Sequence, residues 1–384
     1  MLRELIDLLW ANGLAFVFIL CVVVFIHELG HYLAAKRAGV RVEVFSLGFG
    51  PELFGWNDRS GTRWRVSLLP LGGYVKMFGE SVATEGSSEE RERAARTMTP
   101  EERDVAFIHK SLPRRAGIVA AGPVANFVLA WVVLAALFIS VGRPFTAPTV
   151  GDVVPGSVAE QVGLQPGDVF VRAGGQAVHR FEDVQQIVAA SADRPLKLTI
   201  RRGGNDLNLE VVPRRNVITD NFGNRREVGQ LGVSHAGREF EKMSPGGALW
   251  AAGDETYQVA ASTLQAVWQM ITGARSADDL GGPIRIAQMS GQAAEAGLAT
   301  VFWFLAMLSI NLGLINLFPV PMLDGGHLMF YVAEAVRGRP LSERMVEYGF
   351  RVGLGLVVTL FLFVTYQDLS RFQKVVDFFR ALVS

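Results

Sequence analysis

Two histidines and a glutamate stand at the end of a long apolar run. His27, Glu28 and His31 form the pattern H-E-x-x-H within "VVVFIHELGHYLAAKRAG", residues 22–39. On a helix, positions four apart lie on one face, so both imidazoles can reach a single metal ion. The glutamate beside them can then take a proton from a water that the ion activates. Ionisable side chains at bilayer depth are costly and usually functional, so the pattern predicts a catalytic metal site.

A catalytic zinc needs a third protein ligand and an open coordination position. Asp324 is the best candidate, because it follows an apolar run in "NLFPVPMLDGGHL", residues 316–328. Pro319 and Pro321 prevent a regular helix there, and irregular backbone at membrane depth is tolerated only inside protein or beside a wet cavity. The alternative is that Asp324 only ends a helix at the membrane surface. His327, three residues further on, is a competing candidate for the third ligand, but it is expected to be a supporting or packing group.

The composition is that of a membrane protein. Of the 384 residues, 50% are hydrophobic and 19% are charged, and the mean hydropathy is +0.27. The formal net charge is zero, so nothing indicates a nucleic-acid partner. The lone cysteine, Cys21, excludes a disulfide within the chain. Apolar runs of sufficient length predict four transmembrane helices, within residues 1–38, 117–141, 301–333 and 348–366.

Lysine and arginine near the ends of these runs predict the orientation in the membrane. Basic residues follow the first run and precede the second, so residues 36–116 and 334–347 are expected in the cytosol. The long segment 142–300 and the tail 367–384 are then expected outside. With this orientation, both histidines and Asp324 lie near cytosolic ends of their helices, at the same depth, as binding to one ion requires.

The segments between the runs have β character. In the cytosolic segment, residues 39–116, "RWRVSLLPLGGYVKMFG" predicts a hairpin that turns at Gly72 and Gly73, followed by a polar loop or helix at Ser81–Arg103. Outside, residues 149–214 predict a small β-rich domain with a helix at 182–190. Residues 215–300 are a linker with an amphipathic helix at 248–272, which lies either on the membrane surface or against another domain.

These motifs resemble those of the site-2 protease family of intramembrane zinc metalloproteases, and more closely the bacterial regulator-of-sigma-E protease group. The resemblance covers nearly the whole chain and includes "FSLGFGPELFGW", "LLPLGGYVKMFGE", "GPVANFVLAW" and "GGPIRIAQ". It implies a polytopic α-helical protein of the bacterial inner membrane, with a membrane-reentrant β-hairpin and one periplasmic PDZ domain at residues 149–214. The best-known members carry two PDZ domains in tandem, whereas this chain has room for one complete copy.

The resemblance also implies roles for individual residues. His27, His31 and Asp324 match Zn²⁺ ligands, and Glu28 matches the catalytic acid and base. Expected substrate-binding positions are two polar residues of the third helix and glycines of the β segment: Asn311, Asn316, Gly48, Gly50, Gly72 and Gly73. For the asparagines, hydrogen bonding between helices is the alternative, and for Gly48 and Gly50 it is a turn role alone. The expected partners are the lipid bilayer and single-pass membrane protein substrates.

Two other function classes are open to the sequence. A membrane scaffold with a structural metal would need a closed site of four ligands, but only three good ligands are found. A metal transporter would need further carboxylates or histidines along a path, and the second and fourth apolar runs contain none.

Overall fold

The computed structural model describes residues 2–80, 98–219, 225–273 and 281–371. Most of the polar segment predicted at Ser81–Arg103, and most of the tail 367–384, lie outside these described residues. The helices are α1 (Leu2–Arg37), α2 (Pro100–Val105), α3 (Leu112–Ser140), α4 (Val158–Gln161), α5 (Phe181–Ala190), α6 (Pro245–Ile271), α7 (Pro283–Glu295), α8 (Leu298–Asn316), α9 (Asp324–Arg337) and α10 (Glu343–Arg371), with a 3-10 turn at Phe107–His109. The strands are β1 (Val42–Asn57), β2 (Arg63–Met77), β3 (Arg143–Thr146), β4 (Val150–Val153), β5 (Val169–Ala173), β6 (Gln176–Ala177), β7 (Leu196–Arg202), β8 (Asn205–Val211), β9 (Arg214–Thr219), β10 (Arg225–Gln230), β11 (Val233–His235) and β12 (Arg238–Glu241).

Four of the described helices are long and apolar enough to cross a membrane. They lie at Gly13–Arg37, Leu112–Ser140, Leu298–Asn316 and Arg344–Leu369. Their number agrees with the prediction, but the third ends seven residues earlier than the uncharged run that precedes Asp324. Leu317 to Leu323 form turns instead of helix, because Pro319 and Pro321 lack the N–H groups that a helix would need.

Strands β1 and β2 form an antiparallel sheet that begins directly after α1. Leu47 pairs with Gly73, and further along β1 Trp56 pairs with Trp64. The predicted turn at Gly72 and Gly73 is therefore wrong, because both glycines lie inside β2. The chain reverses instead at residues 58–62, between the two strands.

Asp58 explains why the turn forms where it does. Its carboxylate accepts hydrogen bonds from the backbone N–H groups of Ser60 at 2.8 Å and Thr62 at 2.9 Å. Such side-chain bonds to the following backbone stabilise tight turns. The Tyr32 hydroxyl of α1 and the Trp64 indole also donate to Asp58, at 2.9 and 3.2 Å. Desolvation raises the pKa of Asp58, but the hydrogen bond from the Ser60 hydroxyl, together with those from Thr62, Trp64 and Tyr32, outweighs it and holds the pKa well below its usual value.

The chain divides into two compact units. One comprises residues 1–135, 249–263 and 278–384, and the other comprises residues 136–248 and 264–277. In the first unit, Ile19, Val23 and Leu305 are buried together where α1 meets α8. Small residues allow helices to approach closely in membranes. A Cβ at Gly30 of α1 would clash with the Ala121 carbonyl oxygen of α3.

The second unit is β-rich. Its largest sheet has the order β6-β5-β7-β8, and β4 pairs separately with β11. The core includes Phe170, Leu198 and Ile200 from this sheet, and Val184 from the adjacent α5. The predicted helix and strands within residues 182–212 are confirmed. The buried core also includes Leu231, so it continues beyond residue 214.

Candidate metal centre and active site

His27 and His31 lie on one face of α1, as their spacing predicts. Each residue is 8% exposed, and their Nε2 atoms are 3.3 Å apart. Both nitrogens that could bind a metal thus point to the same place. Residues 13–26 of this candidate membrane helix carry no charged side chain, so the two imidazoles and Glu28 form a polar site at the end of an apolar run.

Asp324 completes the cluster from the first turn of α9. Its Oδ2 lies 3.2 Å from His27 Nε2 and 3.5 Å from His31 Nε2. This oxygen is buried and accepts no hydrogen bond from the residues that the structure describes. Ligand atoms around a tetrahedral zinc at about 2.0–2.1 Å are roughly 3.3 Å apart. The triangle formed by these three atoms therefore fits a zinc ion, and a fourth position is left for water or substrate.

The backbone before Asp324 is shaped to bring its side chain to this position. Met322 has a φ of 93°, a left-handed conformation that is strained for a residue with a side chain. A Cβ at Gly325 would clash with the carbonyl oxygens of Leu317 and Phe318, and one at Gly326 with the backbone around Pro321. The two glycines thus let α9 begin directly against the turn that follows α8.

Residues of helix α3 contact the Nδ1 atoms of both imidazoles. His31 Nδ1 lies 2.9 Å from the carbonyl oxygen of Ile118, and the side-chain amide of Asn126 lies 3.2 Å from His27 Nδ1. Gly122 stands between them, and a Cβ there would overlap the His31 ring. Such partners of metal-binding histidines fix the tautomer and the orientation of the ring. The sequence reasoning missed all three residues.

Glu28 lines the same cavity as the three potential metal ligands, next to strand β2. A Cβ at Gly73 would lie 2.9 Å from Glu28 Cγ and 2.8 Å from the Ser46 carbonyl oxygen. Only glycine therefore allows β2 to approach this closely. The cavity has a volume of about 1050 Å³ and also reaches Phe49, Gly72 and the ion pair of Arg115 with Glu334.

The other predicted substrate-binding residues lie in different places. Asn316 lines the cavity, with its Nδ2 at 3.4 Å from His27 Nε2. Asn311 does not line the cavity, and its side chain bonds to Thr263 of α6 and to the Met307 carbonyl oxygen of its own helix. These bonds correspond to the alternative of hydrogen bonding between helices.

Gly48 and Gly50 lie in β1 and are not part of the cavity lining. Both have positive φ, 91° and 87°, which favours glycine. A Cβ at Gly48 would come within 2.7 Å of the Leu69 carbonyl oxygen, whereas Gly50 faces open space. Gly48 thus permits the close approach of β2, while Gly50 serves only the bend of the chain.

Comparison with known proteins agrees with this site. The chain matches the model of peptidase family M50 over residues 15–360. It is 44% identical over 359 residues to a protein of Rhizobium meliloti (strain 1021) whose name is that of a zinc metalloprotease, covering 92% of this chain and 95% of that protein. A similarly named protein of Agrobacterium fabrum is 43% identical over 359 residues, covering 92% and 94%. Metalloprotease MmpA of Caulobacter vibrioides is 37% identical over 376 residues, covering 93% and 94%.

The family match extends over most of the chain, and the similarity to these metalloproteases extends over more than nine tenths of it. The four apolar helices fit a multi-pass membrane protein of this kind. The chain is a zinc-dependent metalloendopeptidase and belongs to peptidase family M50, the site-2 protease family.

Proposed function

We propose that this enzyme hydrolyses peptide bonds within or beside the transmembrane segments of single-pass membrane proteins. The observation that carries the proposal is the position of the three potential ligands. His27 and His31 belong to a candidate membrane helix, and Asp324 follows another by a short break. A metal held there would act at the depth of a substrate helix, where a soluble peptidase could not reach.

In this proposal, His27, His31 and Asp324 are the zinc ligands. Three ligands leave a coordination position open, which is typical of catalytic zinc, whereas structural zinc is usually closed by four ligands. Each of these three described residues offers one potential ligand atom, and the three atoms lie within 4.8 Å of one another. A bound zinc supplies Lewis acidity, which polarises the scissile carbonyl and activates water. The composition of the cluster therefore favours a catalytic site over a structural metal.

Glu28 is the general base and then the general acid. Its side chain lines the cavity, so it can take a proton from the attacking water and deliver it to the leaving amine. Asn316 presents an amide next to the metal position. From there it can donate to the oxygen that becomes negative in the transition state.

Strand β2 is proposed to hold the substrate as an added strand. A helix must unwind before its carbonyls can be attacked, and pairing with a strand edge replaces the lost backbone bonds. The segment around Gly73 passes beside Glu28, so a peptide paired there would lie at the site of hydrolysis. Leu53, Phe54 and Leu68 are 65%, 65% and 53% exposed, which suits a β element that enters the membrane surface.

The β-rich second unit is proposed to be a periplasmic PDZ domain that selects substrates by size. Its sheet, order β6-β5-β7-β8, packs on α5 around one buried core. With the active site near the cytosolic side of the inner membrane, the unit would exclude substrates with bulky outer domains. Suitable substrates would be helices already trimmed outside, such as a cut anti-sigma factor or a remnant signal peptide.

The chemistry is tested with Glu28→Gln in the full-length enzyme, in liposomes that contain a single-pass model substrate. We expect the variant to bind zinc as the parent does and to lose turnover, because the amide cannot accept the proton. Glu347→Gln is the matched control, since Glu347 is an exposed carboxylate paired with Arg351. Normal turnover by Glu28→Gln would refute the assigned role.

The substrate class is tested in the same liposomes by mapping the cleavage position with mass spectrometry. The proposal predicts a cut within or beside the transmembrane segment, and faster cleavage of a substrate whose outer domain has been removed. A cut confined to the soluble domains would contradict intramembrane proteolysis. Equal rates for full-length and trimmed substrate would contradict selection by size.

A further inference from the structure

Asn126 is a fully buried amide in the middle of an apolar helix. The residue has 0% exposure, and its side chain reaches His27 Nδ1 at 3.2 Å. Its own backbone carbonyl accepts a hydrogen bond of 2.9 Å from the Ser309 hydroxyl of α8. A polar side chain at such a position is costly unless it has a specific partner, and the partner here is a proposed zinc ligand.

The chemistry of a ligating histidine decides which amide atom faces it. A neutral imidazole that binds a metal through Nε2 carries its proton on Nδ1. The amide group Nδ2 is also a donor, so two donors would face each other across 3.2 Å. A half-turn of the amide exchanges Nδ2 for Oδ1, which then accepts from Nδ1–H. The choice between the two amide orientations is set by the hydrogen-bond partner.

We infer that Asn126 is a positioning residue for zinc binding: its Oδ1 accepts the Nδ1–H of His27 and fixes that ring with Nε2 toward the metal. This rests on the proposed function, in which His27 is a ligand. The second histidine has the equivalent arrangement, because the Ile118 carbonyl oxygen lies 2.9 Å from His31 Nδ1. Helix α3 thus supplies one acceptor for each imidazole, a side chain for His27 and a backbone carbonyl for His31.

The test compares two variants of similar size in the full-length protein. Asn126→Asp keeps an acceptor and loses the donor, whereas Asn126→Leu loses both. Zinc affinity is measured without substrate, by competition with a chelator. We expect Asn126→Leu to bind zinc about 10- to 100-fold more weakly and Asn126→Asp to bind at least as tightly as the parent. Equal weakening in both variants would overturn the inference, because packing or donation would then be the role.

Two further variants distinguish a failure of the inference about Asn126 from a failure of the ligand assignment. Asn311→Leu removes an amide of the same size from another membrane helix, where its bonds go to Thr263 and Met307, so its zinc affinity should equal that of the parent. His27→Ala tests the proposed function itself. If His27→Ala loses zinc while Asn126→Leu binds like the parent, the inference fails and the ligand assignment stands. If His27→Ala binds zinc normally, the ligand assignment fails.

Nuclear magnetic resonance tests the inference on the parent protein itself, so this measurement does not depend on a variant that folds. With the six histidines labelled with ¹⁵N, the zinc-loaded protein should show His27 Nδ1 as a protonated nitrogen with scalar coupling to its hydrogen. An unprotonated Nδ1 in the loaded protein would overturn the inference directly.

Discussion

Gly122 is where a single methyl group should disturb the metal centre most. In Gly122→Ala, the new Cβ would lie 2.8 Å from His31 Cδ2, 2.5 Å from His31 Cε1 and closer still to Nε2 between them. Carbon atoms in contact prefer separations of about 3.5–4.0 Å, so the contact with Cε1 alone requires the imidazole to move by roughly 1.0–1.5 Å. Metal coordination tolerates deviations of about 0.2 Å. The required shift is several times larger than this tolerance.

The helices cannot easily move apart instead. Gly30 already brings α1 against the Ala121 carbonyl oxygen, one residue before Gly122, so separation would open the packing beside the site. We expect Gly122→Ala to weaken zinc binding by about 10- to 100-fold, as disruption of a metal-supporting residue typically does, or about 1.4–2.7 kcal/mol.

The assay is chelator competition on the purified full-length protein, with turnover of a model substrate measured in parallel. Gly117→Ala is the control, because it lies on the same helix and a Cβ there meets no atom within 4 Å. Both changes replace glycine with alanine in a helix, which favours the helix by about 0.5–1 kcal/mol. If Gly122→Ala and Gly117→Ala bind zinc equally well, the packing of α3 on His31 described here is wrong.

Three other perturbations give distinct results. Gly73→Val should lower turnover while zinc content is kept, because the side chain would press on Glu28 and not on the ligands; loss of zinc instead would contradict this. Asp368→Ala removes a carboxylate that accepts from three backbone N–H groups at the start of α7. Thermal unfolding of the protein in detergent should show a loss of about 1.5–3 kcal/mol, and an unchanged midpoint would refute the capping role. Burial raises the pKa of Asp168, but the hydrogen bonds from Arg202 outweigh it and lower that pKa. Its stabilising effect should therefore be present above the unfolded pKa of about 3.9 and be lost as pH falls through the lower folded value; hydrogen exchange of β5 and β7 should show this acid loss in the parent and less of it in Asp168→Asn.

The sequence predicted the three potential ligands because their positions follow from spacing along one helix and from depth in the membrane. The spacing of His27 and His31 places them on one helix face whatever surrounds them. Asp324 could be assigned because it shares their membrane depth and follows two prolines. The structure brings the three together, and the break after α8 lies where the prolines predicted it.

The supporting residues could not be predicted in the same way. The partner of His31 is the backbone carbonyl of Ile118, and a carbonyl has no signature in the residue type. Asn126 and Gly122 are single residues in an apolar run, and their roles depend on how α3 packs against α1. An amide within an uncharged membrane helix was the one available signal, because burial of such a group needs a partner.

The β segment shows how competing local signals mislead. Gly72 and Gly73 have the composition of a turn, yet Gly73 is needed for the approach of β2 to Glu28. The turn forms at Asp58, whose side chain accepts bonds from Ser60 and Thr62. A glycine pair therefore indicates either a turn or a close approach, and only the tertiary contacts decide between them.

X-ray absorption of zinc bound to the purified full-length enzyme tests the central claim, that one ion is held by residues far apart in the chain. We predict one zinc per chain with only nitrogen and oxygen donors at about 2.0–2.1 Å, including the scattering of two imidazoles. Asp324→Ala should change this spectrum or release the metal, whereas Glu28→Gln should keep the protein donors. An unchanged spectrum and full zinc content in both Asp324→Ala and His27→Ala would contradict the account.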